Sequence, residues 1–160
     1  MSLAAEYLPS PTTPALPLAA AGLPRERPRD EPQSLVLAVE LGLLAQRWRR
    51  RWPELRLSLP RGGTWPLHSW PQALHEALDE LLDTAVEWQQ DAAIVLEPRL
   101  ERGLLRLDLG GTDEQARRWL PRALRAAQRL AAWQGGRLLW RAGGARWKVR
   151  LSLPLSPARR

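Results

Sequence analysis

Along Leu74 to Trp88, LHEALDELLDTAVEW, the apolar residues Leu74, Leu78, Leu81, Leu82 and Ala85 recur at spacings of three and four. Glu76, Asp79, Glu80, Asp83 and Glu87 occupy the remaining positions, so the stretch predicts a helix with one buried side. Upstream, SLVLAVELGLLAQRWRRRW predicts a second helix, with Ser34 as its N-cap. In it Leu35, Val39, Leu43, Gln46 and Arg50 trace one line and Leu37, Leu41, Leu44 and Trp48 another. Pro53 ends this helix, and Leu55 to Leu59 alternate as a half-buried strand. Pro60 to Pro71, punctuated by Gly62, Gly63 and Pro66, reads as a loop.

After Trp88 the period changes to two. A strand over Ala92 to Glu97, a turn over Pro98 to Gly103 and the strand GLLRLDLGG form an antiparallel hairpin, with Leu105, Leu107 and Leu109 on one face and Arg106 and Asp108 on the other. A third helix over Glu114 to Gln134, capped by Thr112 or Asp113, carries Pro121 as a kink or as its true first turn. Gly135 and Gly136 end it, and RLLWRAGGARWKVRLSLPL closes the chain as a second hairpin turning at Gly143 and Gly144. Strands in hairpins with helices between them predict an α/β two-layer sandwich, a mixed, mostly antiparallel sheet with three helices on one face.

Composition adds limits. Residues 1–33, with YLPSPTTPALPL and LPRERPRDEP, are too rich in proline for a helix or central strand and read as a disordered arm or linker. The folded domain is expected over 34–156, with a basic tail at 157–160. Without cysteine there is no disulfide, thiolate metal site or cysteine nucleophile. No long uncharged apolar run is present, and the prolines near the N-terminus interrupt any signal-peptide pattern, so a cytoplasmic location is expected. The net charge of +7 is almost wholly arginine, with Lys148 the only lysine and no asparagine anywhere, a skew matching a GC-rich coding bias. Arg47, Arg49, Arg50 and Arg51, in and beside WRRRW, are explained adequately as cations at a helix C-terminus; the alternative is phosphate contacts flanked by Trp48 and Trp52.

The Leu74 helix, and the ending QGGRLLWRAGGARWKVRLSLPL with its Gly-Gly-x-Leu, Gly-Gly and Leu-Pro-Leu, resemble the ATP-binding domain of sensor histidine kinases, the GHKL superfamily. The resemblance spans roughly Leu35 to Leu155 and implies that fold. It implies a Glu and, four residues on, a magnesium-holding Asn on the opening helix; here Glu80 is in place and Thr84 stands at the Asn position, with Asp83 beside it. The adenine-binding Asp-x-Gly-x-Gly has LDLGGTD as its counterpart. One register puts Asp108 and Gly110 at the first Asp and Gly; the other, which suits the strand's alternation better, puts Leu109 and Gly111 there. Pro121 to Leu124 stand where the family's glycines wrap the phosphates, and hardly any lid separates strand from helix. His68 and His75 lie outside a phosphoacceptor context, and no P-loop, GxSxG or HExxH occurs.

The vestigial ATP site therefore comprises Glu80, Asp83, Thr84, Asp108, Gly110 and Gly111, with no resident cofactor expected unless ATP and magnesium are still held. The resemblance implies a non-catalytic regulatory or scaffold domain in two-component signalling, its partner a histidine kinase or response regulator. One alternative is a divergent ATP-binding kinase subunit using Glu80, Asp83 and Asp108. The other is a nucleic-acid binder using Arg47 to Arg51 with Arg117, Arg118, Arg122, Arg125 and Arg129.

Overall fold

The computed structural model describes residues 8–9, 28–59, 62–89 and 93–155. Its elements in chain order are β1 (Leu8–Pro9), β2 (Gln33–Val36), α1 (Leu37–Arg51), β3 (Arg56–Ser58), β4 (Pro66–Ser69) and α2 (Pro71–Trp88). They continue with β5 (Ala93–Glu101), β6 (Leu104–Thr112), α3 (Ala116–Ala123), α4 (Arg125–Gln134), β7 (Arg137–Gly143) and β8 (Arg146–Pro154). Six strands form one sheet in the order β1-β7-β8-β6-β5-β3, antiparallel except for the parallel pair β3 and β5; β2 and β4 form a small second sheet. The predicted two-layer α/β sandwich is the observed architecture.

The alternation along the strands sets the layers. Ile94 and Leu96, Leu105, Leu107 and Leu109, Leu138, Trp140 and Ala142, and Trp147 through Leu153 at every second residue are buried against the helices. From the other layer α2 contributes Leu74, Leu78, Leu81, Leu82 and Ala85, the predicted stripe, none more than 2% exposed. Gly135 adopts a left-handed conformation at the end of α4 (φ 74°), and a side chain on Gly136 would meet the Ser152 carbonyl oxygen at 2.2 Å. The Gly-Gly pair is thus required by the passage from helix to sheet.

Several expectations need correction. The first helix does not begin at Ser34: Gln33–Val36 pair with Pro66–Ser69 inside the expected loop, burying Leu35 and Leu67, and α1 starts at Leu37. Of the two lines on α1, the one through Leu37, Leu41, Leu44 and Trp48 is buried, whereas Val39 and Leu43 are more than half exposed. Strand β5 runs through Pro98 to Glu101 rather than turning at Pro98. The parallel partner β3 reaches only as far as Val95, so beyond it β5 is an edge, where proline is tolerated. The third helix is two helices, making four among the described residues: Pro121 lacks the N–H that would bond the Arg117 carbonyl, and the break falls at Leu124 (φ −100°, ψ 4°). Within the arm, Leu8–Pro9 pair with Trp140 and Leu139 at the sheet edge, a position proline can take. The rest of the proposed arm up to 27, and the basic tail, lie outside the described residues.

Candidate functional site

Glu80, Asp83 and Thr84 come together on the outward side of α2, in a shallow depression of about 450 Å³ also lined by Glu76, Asp79 and Arg129. Each already has work within the fold. The Thr84 hydroxyl donates to the Glu80 carbonyl one turn back at 2.7 Å. Asp83 accepts from the Arg51 guanidinium at 3.0 Å and from the Trp52 indole N–H at 3.2 Å. One turn earlier, Asp79 accepts from Arg47 and, at 2.7 Å, from the indole N–H of the fully buried Trp48. WRRRW is therefore half of a ladder: an Arg-Trp pair repeated at i+4 on α1 faces Asp79 and Asp83, repeated at i+4 on α2. His75 extends it by pairing with Glu40. Sequence reasoning assigned these arginines to the helix dipole or to phosphates; the matched periods were the available signal.

Glu80 is held differently. Burial raises its carboxyl above the ordinary glutamate range, and the cations Arg129, Arg125 and Arg122 together with the Ala126 backbone amide oppose that rise. Ala126 lies in the first turn of α4, so this carboxylate takes an amide at a helix N-terminus, an arrangement that favours an anion. In the family resemblance those amides follow the stretch that wraps the phosphates. Here the equivalent stretch holds Pro121, without an amide donor, and the buried Ala123 and Leu124.

At the end of β6 the pleat puts the two candidate positions on opposite faces of the sheet. Leu109 faces the helices and is 2% exposed, whereas Asp108 and Gly110 face the opposite side of the sheet. Asp108 is thus separated from Glu80, Asp83 and Thr84 by the whole sheet, and ion-pairs with Arg150, Arg106 and Lys148. Gly111 does face inward, and the space beside it is full. A side chain there would meet the Gln89 amide oxygen at 2.6 Å and the Trp147 indole at 2.8 Å. Trp147 donates its indole N–H to Gln89 at 2.8 Å and packs edge-on against Trp119, ring centroids 5.3 Å apart. Trp119 in turn donates to Asp113 at 2.6 Å. Sequence reading passed over Gln89, Trp119 and Trp147; nothing local distinguishes them from other core residues.

These residues do not fit a magnesium nucleotide. The helix-facing residue at the end of β6 is Leu109, Asp83 is engaged by Arg51 and Trp52, and the Thr84 hydroxyl is turned to its own helix. Among the described residues no group of three or more acidic or histidine side chains is placed to hold a metal ion. His68 lies on β4 with Ser34 at 3.4 Å from its ring, and His75 belongs to the α1–α2 ladder. Among the described residues no helix is long and apolar enough to cross a membrane.

No protein-family model and no curated protein sequence matches the chain. Solved structures do. The histidine kinase AdeS of Acinetobacter baumannii is 12% identical over 90% of this chain and 75% of its own, with a TM-score of 0.69. The ATP-binding domain of PrrB from Mycobacterium tuberculosis is 23% identical over 81% of this chain and all of its own, with a TM-score of 0.62. The histidine kinase domain of the E. coli osmosensor EnvZ is 15% identical over 84% of this chain and 96% of its own, with a TM-score of 0.63. The chain therefore has the fold of histidine kinase ATP-binding domains, the fold that its sequence resemblance implies.

Proposed function

We propose that this chain is a non-catalytic domain built on the histidine kinase ATP-binding fold, acting by protein binding in two-component signalling. Its partner on this reading is a histidine kinase or a response regulator. The observation that carries the proposal is the filling of the inner end of β6: Leu109, Trp147, Gln89 and Trp119 occupy the side of the sheet on which an adenine contact would have to be made. The polar side chains of α2 support it, because they brace α1 or their own helix instead of a ligand. A scaffold of this kind needs only its core, and burial at ~25 cal/mol per Å² of apolar area maintains that core without nucleotide.

Incubating the chain with γ-labelled ATP, magnesium and a histidine-bearing kinase dimerisation domain tests the reading. No label transfer dependent on this chain is expected. Transfer that depends on the chain and is abolished by Glu80→Ala would establish instead a divergent kinase subunit.

A further inference from the structure

The outward face of the sheet carries more cations than carboxylates. The four helices of the described residues lie on the other side, and the outward residues of β5 to β8 remain half-buried or exposed, Asp108 excepted. Asp108 is shared by three cations: Arg150 at 3.1 Å, Arg106 at 3.4 Å and Lys148 at 3.9 Å. Arg106 also reaches Glu101 at 3.0 Å, and Arg99 lies 3.6 Å from Glu97. Arg141 stands directly opposite Lys148 across β7 and β8, and Arg99 opposite Arg106 across β5 and β6. The carboxylates of Glu97, Glu101 and Asp108 lie among these cations and offset part of the like-charge repulsion expected of directly opposed residues. Arg146, exposed at the rim, makes no ion pair among the described residues. Between these cations the strands carry Ala93, Gly110 and Gly143 in a trough of about 550 Å³, which Glu97 and Asp108 also line.

The shape and chemistry of this trough select an occupant. Its strands have already made their backbone hydrogen bonds to one another, so it recognises side chains and not an extended backbone, which would add at a sheet edge. No residue pointing outward from β3 or from β5 to β8 is aromatic, so unpaired bases find no stacking platform. Val95, 44% exposed, supplies apolar surface beside the cations. We propose that the trough over Gly110 and Gly143, walled by Arg141, Arg146 and Lys148, is the docking surface for an acidic amphipathic helix of a partner protein. Its carboxylates would pair with Arg146 and Lys148, and its apolar residues would lie on Val95 and Ala93. This proposal rests on the protein-binding reading above and identifies the surface that does the binding.

The test uses the full chain and a synthetic Leu/Glu amphipathic helix as probe, at physiological ionic strength, with oligo(dT) of matched charge as competitor class. The peptide is expected to bind, to shift the amide resonances of Gly110 and Gly143, and to lose at least about tenfold in affinity on Arg146→Glu/Lys148→Glu. The double reversal Arg49→Glu/Arg118→Glu on the helix layer, equal in charge change, should leave binding within about twofold. Arg146→Glu alone, at an exposed hairpin end, serves if the double variant fails to fold. Unmoved glycine amides, or equal losses from both charge reversals, would overturn the proposal. Tighter binding of oligo(dT) through the same residues would replace it with a nucleic-acid surface. Saturable ATP binding would instead sink the non-catalytic reading and leave this surface standing.

Discussion

Strand β6 has two faces that have been put to opposite uses. Inward, Leu105, Leu107 and Leu109 lead to Gly111, beside which Trp147 and Gln89 fill the space and close it with an indole-to-amide hydrogen bond. Outward, one residue away, Asp108 draws in Arg106, Lys148 and Arg150 above a trough floored by glycine. Because side chains alternate across a strand, a shift of one residue decides which face receives a carboxylate. In this chain the carboxylate lies outside and leucine inside. The fold tolerates that because its stability resides in the packed interior, whereas the chemistry of either face rests on a few polar groups.

Substitutions that weaken one face should leave the other intact, and the largest effect belongs inside. Trp147→Ala removes a buried indole, its edge-on contact with Trp119 and the partner of Gln89. It should cost about 3–5 kcal/mol in urea unfolding, and a loss below about 1 kcal/mol would mean that the inner end of β6 is not well packed. Asp108→Ala on the outer face should cost less, about 1–3 kcal/mol, by leaving three cations without their shared acceptor. Raising the salt concentration should recover part of that loss, which it cannot do for Trp147→Ala.

Asp79→Ala tests the ladder that joins α1 to α2. It leaves the buried Trp48 indole N–H without an acceptor, for about 1–2 kcal/mol, and Asp83→Ala should cost less because Trp52 is only half-buried. The smallest change is expected from Glu80→Gln. Burial raises the Glu80 carboxyl in the folded state, so its contribution to stability is greatest at acidic pH and declines as pH rises from the unfolded to the folded value. Glu80→Gln should flatten that decline and match or exceed the parent protein at neutral pH, as read from thermal unfolding across pH 3 to pH 8 (about the range in which a raised glutamate titrates).

Much of the fold is legible in the sequence wherever an element is long enough to repeat its period. The α2 stripe, the strands of both hairpins and the Gly135–Gly136 ending are of this kind, and the pleat of LDLGGTD already favoured Leu109 as the inward residue. The small β2–β4 sheet was not legible, because two four-residue strands expose no period and their pairing joins residues about thirty positions apart in sequence. The α1–α2 ladder was missed for a related reason: Arg47, Trp48, Arg51 and Trp52 make sense only beside Asp79 and Asp83. Of the candidate site, the departures of Thr84 and Pro121 from the residues the family resemblance implies could be read from residue identity. The indoles that fill the space could not, since tryptophan in a strand or helix reads simply as core.

Calorimetric titration of the full chain with magnesium and ATP to millimolar concentration tests the central claim most directly. The packed inner end of β6 predicts no saturable heat and no ligand-dependent rise in melting temperature. Saturable binding with micromolar affinity, accompanied by a change in tryptophan fluorescence as Trp147 or Trp119 gave way, would contradict it.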